Sequence, residues 1–190
     1  MILRSGGDYA GNELIIGSGP AALMVRYTSG RRTLDPNDQL TLEWCGVQRR
    51  YHAAMMRTLL VGQASPEHVA MHAACRDALE ACESAIRPGA TLGEVFDAHA
   101  QVLDGAGFAA HRMNACGYGM GAVYAPIWVD WPMLYHGNPL TFDVDQAYFL
   151  HMILLDLDSG RAMNLGHSVV VTNDGCERLS RSSLDLVVNT

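Results

Sequence analysis

From Leu40 to Trp44 the chain alternates, with Leu40, Leu42 and Trp44 set against Thr41 and Glu43. This is the period-two pattern of a strand with one buried face, and it puts Glu43 on the face opposite Leu42 and Trp44. A turn precedes it at "DPNDQL", Asp35 to Leu40, where Pro36 suits an early turn position and Asn and Asp tolerate tight backbone geometry. A second strand is predicted through "RYHAAMMRTLLVG", with a hairpin around Cys45 to Arg50. Upstream, "ELIIGSG" reads as a short buried strand with a turn at Gly17 to Pro20. Two helices follow. Ser65-Pro66 supplies an N-cap and a first-turn proline for "EHVAMHAACRDALEACESAI", in which Val69, Ala73, Leu79, Cys82 and Ile86 share an apolar face. Thr91 and Glu94 form a capping box for a helix carrying Val95, Phe96, Val102 and Leu103 and ending at Gly105 or Gly107. The remainder is strand-like: "QAYFLHMILLD", "SVVVT", an Asn173-Asp174-Gly175 turn, then "CERLS". Strands, two helices, then strands predict an α+β domain with the helices segregated from an antiparallel sheet. We read 1–190 as one domain, with 1–12 and 181–190 as terminal extensions.

Composition narrows the class. Nearly half of the 190 residues are apolar and 17% are charged, which suits a packed core and not a disordered chain. The formal net charge is −7 and the longest cationic runs are Arg31-Arg32 and Arg49-Arg50. Nucleic-acid binding needs clustered cations, so it is not expected. No apolar run approaches the ~20 residues that span a bilayer, and no secretory leader is legible at the N-terminus. The five cysteines show no CxxC or zinc-ribbon spacing and read as buried reduced thiols, which places the protein in the cytoplasm.

Three features carry candidate chemistry. The first is the glycine-rich stretch "NACGYGMGAVYAP". A dinucleotide fingerprint needs GxGxxG opening a helix, whereas here the spacing is GxGxG and prolines follow at 126 and 132. Structural glycines in a crowded strand are the alternative. The second is the histidines. His68 and His72 stand at i, i+4 but without a third ligand, so helix packing is expected; His99 and His111 carry no local motif. His151 in "YFLHMILL" and His167 in "NLGHSVVV" are polar groups in apolar strands that must find partners, and we expect them to share a pocket or to be satisfied structurally. The third is Glu43, enclosed by "LTLEWCGV". It is either a catalytic carboxylate or half of a structural ion pair with Arg57 on the neighbouring strand.

Taken in order, "SGPAALMVRY", "DQLTLEWCGVQRRYHAAMMRTLLVG", "RPGATLGEVFDA", "CGYGMG", "AYFLHM" and "LGHSVVVTNDGCERLS" resemble the pita-bread superfamily of creatinase, methionine aminopeptidase and Xaa-Pro peptidases. The segment "LEWCGVQRRYHAAMMRT" is most similar to the ectoine-hydrolase branch. The resemblance spans about Leu14 to Leu179. It implies a curved antiparallel sheet with helices on its outer face, corresponding to the catalytic domain of longer relatives, whose N-terminal domain is not expected here. It also implies a homodimer. Metallopeptidases of this superfamily hold two divalent ions with two Asp, one His and two Glu. Those positions fall on Glu43, Ala54, Tyr118, His151 and Gly166, the last just before His167, and the substrate-site histidine falls on Arg26.

Two bridged divalent ions need several anionic oxygens, and this set supplies one carboxylate. We therefore expect no metal and no cofactor. Creatinase and ectoine hydrolase are metal-independent members, so the expectation is a hydrolase of a C–N bond in a small polar, nitrogen-containing substrate. Its catalytic residues would be Glu43, His151 and Tyr118, with His151 tuned by Glu43 and Tyr118 donating to an oxyanion. Arg26, His52, Arg57, Trp128 and His167 would bind substrate, and Trp131 would join Trp128 in walling the pocket. The alternatives are an inactive pita-bread domain kept for binding or assembly, and a metal-dependent Xaa-Pro aminopeptidase or dipeptidase.

Overall fold

The computed structural model describes residues 2–27 and 30–190. Among these residues the strands are β1 (Ile15–Ser18), β2 (Asp38–Gln48), β3 (Tyr51–Val61), β4 (Gly117–Met120), β5 (Asp130–Leu134), β6 (Ala147–Asp156), β7 (Arg161–Val171), β8 (Cys176–Arg178) and β9 (Val187–Asn189). They join in one sheet of order β1-β2-β3-β7-β6-β4-β5, with β8 added to β7 and β9 to β3. Pairing is antiparallel except between β3 and β9. Helices α1 (Pro66–Ala85) and α2 (Leu92–Gly105) lie between the two halves of the sheet in sequence. The α+β architecture with a curved antiparallel sheet is as expected.

Helix boundaries follow their caps. The Ser65 side chain accepts from the His68 N–H, and Thr91 and Glu94 form both bonds of the capping box. The packing face of α1 differs from expectation: Met71, Ala74, Cys75, Ala78, Leu79 and Cys82 are buried, while Val69 is half exposed. Ala and Cys carry the helical period here, so counting only large aliphatics rotates the face. α1 packs on β6 and β7, closing a core that includes Leu79, Phe96, Leu150 and Leu165.

The opposite, inner face of the sheet is built differently. Along β2 the buried residues are Gln39, Thr41, Glu43, Cys45 and Val47, whereas Leu40, Leu42 and Trp44 are only partly covered. Alternation thus places Glu43 opposite Leu42 and Trp44, but the polar side is the inward one. The β2–β3 turn is tighter than predicted, with Arg49 and Arg50 both at positive φ, the geometry of a two-residue hairpin turn.

The halves of the sheet meet at a short seam. β3 and β7 pair only at Met55–His167, Met56–Gly166 and Arg57–Leu165. Beyond this ladder, side chains take over. Ser168 Oγ accepts from the Ala54 N–H at 2.9 Å and donates to its carbonyl, Thr58 Oγ1 accepts from the Asn164 N–H at 2.7 Å, and Gln39 Oε1 accepts from the Ala162 N–H at 2.9 Å. These buried polar residues close backbone groups that would otherwise be orphaned. The sheet also curls. Tyr118 on β4 and Glu43 on β2 are four strand spacings apart, roughly 19 Å on a flat sheet, yet their side chains touch.

Three further departures from the sequence reading concern extent. β7 starts at Arg161, well before "SVVVT", because it is buried on both faces and shows no alternation. β5 and β9 were not expected. The terminal stretches are also integrated: β9 pairs with β3, the Asp8 N–H donates to Val47 O, and the Gly11 N–H donates to His52 Nε2.

The seam generates a test. Ser168→Ala leaves both main-chain groups of Ala54 unpaired in a buried place, and should cost about 1–3 kcal/mol of unfolding free energy, read from denaturant titration.

Candidate active site

Cross-strand register sets the inner face out in rows. One row runs Glu43, Met56, Gly166, His151 across β2, β3, β7 and β6. Next to it, Cys45 pairs with Ala54, Ser168 with Phe149 and Phe149 with Tyr118. Cys45, Ala54, Met56, Tyr118, Met120, Trp128, Phe149 and Ile153 form a buried cluster over these rows.

Within that cluster Glu43 is 6% exposed. Its Oε1 accepts from the Tyr118 hydroxyl at 3.3 Å, and the same hydroxyl accepts from Trp128 Nε1 at 3.1 Å. Burial pushes the Glu43 carboxyl up to about 7, against the opposing pull of the Tyr118 hydrogen bond, the Arg26 charge and Trp128. Burial also raises the Tyr118 hydroxyl well above its ordinary value, with the Glu43 charge adding to it. The phenol is therefore neutral at physiological pH, and the carboxyl is poised between its two forms.

His151 lies beside Tyr118, ring centroids 5.7 Å apart, and against Phe149 at 5.8 Å. Burial depresses its imidazole to about 4, so it is neutral at pH 7. Its Nδ1 is buried without a hydrogen-bond partner, as is Asn164 Oδ1. Asn164 pairs with Ile153 two residues along β6 from His151, a diagonal neighbour on the same face. Asn164 was missed from sequence. The signal was present, since "AMNLG" sets a polar amide in an apolar strand just as "YFLHM" sets His151. The expected tuning of His151 by Glu43 is not what the structure shows, because the shift of His151 comes from burial.

The other expected site residues divide. Arg26 is exposed and near enough to Glu43 to lower its pKa. Trp128 is 1% exposed and holds the Tyr118 hydroxyl, so it does not wall an open pocket. His52 is buried, with Nε2 taken by the Gly11 N–H at 3.0 Å and Nδ1 donating to Arg50 O at 2.6 Å. It ties the N-terminal stretch to the hairpin and has no ring nitrogen free. Arg57 and His167 point to the opposite face, because Glu43 pairs with Met56 and His151 with Gly166, each one residue out of phase. Arg57 donates to Met56 O, Gly166 O and Ser183 O, and so does not pair with Glu43. His167 Nε2 meets Glu83 at 2.6 Å, and Arg178 grips the same carboxylate through two bonds. Burial would raise Glu83, but these partners hold it down at about 2. His151 and His167 thus share adjacent strands but no pocket. His68 and His72 serve helix packing, bonding Gln39 and the Leu184 carbonyl.

Gly117 and Gly119 of "CGYGMG" answer to crowding, while Gly121 has room for a Cβ. A Cβ at Gly119 would fall 2.6 Å from Trp131 O, so this glycine lets β5 approach β4. At Gly166 a Cβ would meet Leu150 O at 2.5 Å and Phe149 Cζ at 3.1 Å. A ligand-bearing side chain has no room there. Among the described residues no group of three or more His, Cys, Asp or Glu is placed to hold a metal ion. One half-protonated carboxyl and one separated imidazole do not fit a two-metal centre.

Residues 1–173 match metallopeptidase family M24. An uncharacterized hydrolase/peptidase (y4tL) of Sinorhizobium fredii is 31% identical over 157 residues, covering 79% of this chain and 37% of that protein. Ectoine hydrolase of Halomonas elongata is 27% identical over 176 residues, covering 92% of this chain and 43% of that protein. Dipeptidase PepE from Mycobacterium ulcerans superposes with a TM-score of 0.88 at 26% identity, covering 98% of this chain and 49% of that one. The chain thus spans less than half the length of these relatives.

Glu43 also predicts a pH signature. Its folded pKa lies above the unfolded value, so the folded state holds a proton that the unfolded state has released. Its contribution to stability is greatest below about 4.5 and is lost as pH rises through about 7. Glu43→Gln removes that slope. Relative to wild type, the variant should gain on the order of 3 kcal/mol between those limits, measured as the difference of two pH-stability profiles. Contributions from His151 and His99 are common to both proteins and cancel.

Proposed function

The chain belongs to metallopeptidase family M24, and we propose that it serves as a hydrolase acting without a metal on a C–N bond of a small polar substrate. The observation that carries this reading is the lone buried carboxyl of Glu43, brought close to neutrality and hydrogen-bonded to Tyr118. A general acid–base works best with a pKa near the operating pH. Glu43 takes or gives the proton at the reacting nitrogen or water. Tyr118, backed by Trp128, donates to the oxygen that gains charge. Neutral His151 and Asn164 supply one unpaired ring nitrogen and one unpaired amide oxygen to the same face, a pair suited to orienting a water. Arg26 at the rim meets an anionic substrate group. Ectoine and dipeptides, the substrates that relatives' names indicate, are the first compounds to try. The thiols suit a reducing cytoplasm, and a second copy of the chain is the partner we expect.

A second reading rests on closure of the site. Glu43 and His151 are 6% and 7% exposed, and three open clefts of about 410–470 Å³ are lined by other residues. That arrangement also suits a domain kept for binding.

Turnover of ectoine, creatine and Xaa-Pro dipeptides by chelator-treated protein separates these readings. The proposal expects activity without added metal, a kcat/KM profile with an ionisation near 7, and a loss of about 10²-fold or more in Glu43→Gln. Activity that appears only on adding a divalent ion contradicts it, and absence of turnover across the panel favours the binding domain.

A further inference from the structure

A second place on the molecule has the makings of a binding site. β3 leaves β7 after a ladder of three residues, and its first residue, Tyr51, bridges instead to Ala122 just beyond β4. The gap between these strands and the start of β6 is an open cleft of about 450 Å³. Its walls are aromatic: Tyr51 and Trp131 are 68% and 66% exposed, while Tyr148 is buried with its hydroxyl bonded to Gln146. Large aromatic rings left in water beside a cavity call for a ligand more than isolated exposed apolar residues do.

The charge at this cleft has one sign. Among the described residues lining it, Asp145 is the single formally charged group, exposed and held at positive φ in the turn before β6. His52, the imidazole among the lining residues, has both ring nitrogens engaged and carries no free donor or acceptor. Flat π faces with one carboxylate and no opposing cation form a surface for delocalised positive charge. A neighbouring contact already uses this chemistry, since Arg50 Cζ lies 5.4 Å from the ring centre of Tyr124.

We propose that this cleft binds small organic cations of the amidinium, guanidinium or substituted-ammonium class. The cation packs against the faces of Trp131 and Tyr51, and Asp145 takes the charge. The site is separate from Glu43. Met120 and Ala147 on its floor pack into the inner-face cluster that holds Tyr118, so a bound cation lies one layer from the carboxyl. The proposal stands whether or not Glu43 turns over a substrate.

Benzamidinium and benzamide have the same shape and differ in charge, so calorimetric titration of the full chain with each isolates the electrostatic part. At neutral pH benzamidinium should bind at least fivefold more tightly than benzamide. Asp145→Asn, which tolerates the same backbone conformation, should abolish that preference, and Trp131→Ala should weaken benzamidinium several-fold. Thermal unfolding of both surface variants checks that they remain folded. Equal affinity for the two compounds, no binding of benzamidinium, or an undiminished preference in Asp145→Asn overturns the assignment.

Discussion

A carboxyl group taken out of water must find a counter-charge or keep its proton. Glu43 is buried on the face that carries the cluster of Cys45, Met56, Phe149 and Trp128, and it accepts a hydrogen bond from a neutral phenol, Tyr118. Tyr118, Arg26 and Trp128 offset burial only in part, and the carboxyl is pushed up to about 7. The rest of the inner face is consistent with that condition. Ala54, Met56 and Phe149 make that face largely apolar, and at Gly166 a Cβ would already meet Leu150 O at 2.5 Å. The contrast with the helix-covered face is sharp. There Glu83 sits between Arg178 and His167 and is held ionised, so the same residue type is shifted in opposite directions on the two sides of one sheet.

What brings the inner groups together is the mechanics of the sheet. A ladder of three residue pairs between β3 and β7 lets the two halves bend toward each other, and hydroxyl and amide side chains cover the backbone groups that bending exposes. The curl carries Tyr118 over to Glu43 and sets His151 beside the same ring. The departure of β3 from β7 also opens the aromatic cleft beside the first residues of β3, so site and cleft have one origin.

Much of the architecture was legible because local signals agreed: the caps at Ser65 and Thr91, the hairpin between β2 and β3, the Asn173-Asp174-Gly175 turn. Glu43 and His151 stood out because polar residues in apolar strands are costly. What failed was phase. Which face a strand buries depends on what covers it, and the residues Leu40, Leu42 and Trp44 look like a core stripe until the sheet is seen to curl away from them. His167 and Arg57 shared the signal of His151 and Glu43 but lie one residue out of step, and a single residue moves a strand side chain to the opposite face. Asn164 carried the same signal as His151, a polar group in an apolar strand, but it stands in the half of β7 whose burial on both faces leaves no alternation to mark a strand.

The ionisation of Glu43 itself decides the matter most directly. Carbon-detected NMR of protein labelled at glutamate side-chain carboxyls, with the Glu43 resonance assigned by its absence in Glu43→Gln, follows this one group through pH. The account predicts a midpoint about 7 that does not move or broaden when stoichiometric manganese or zinc is added. A midpoint at or below the ordinary carboxylate value, or a resonance displaced by one or two equivalents of metal, would show a charged, ion-holding centre in its place.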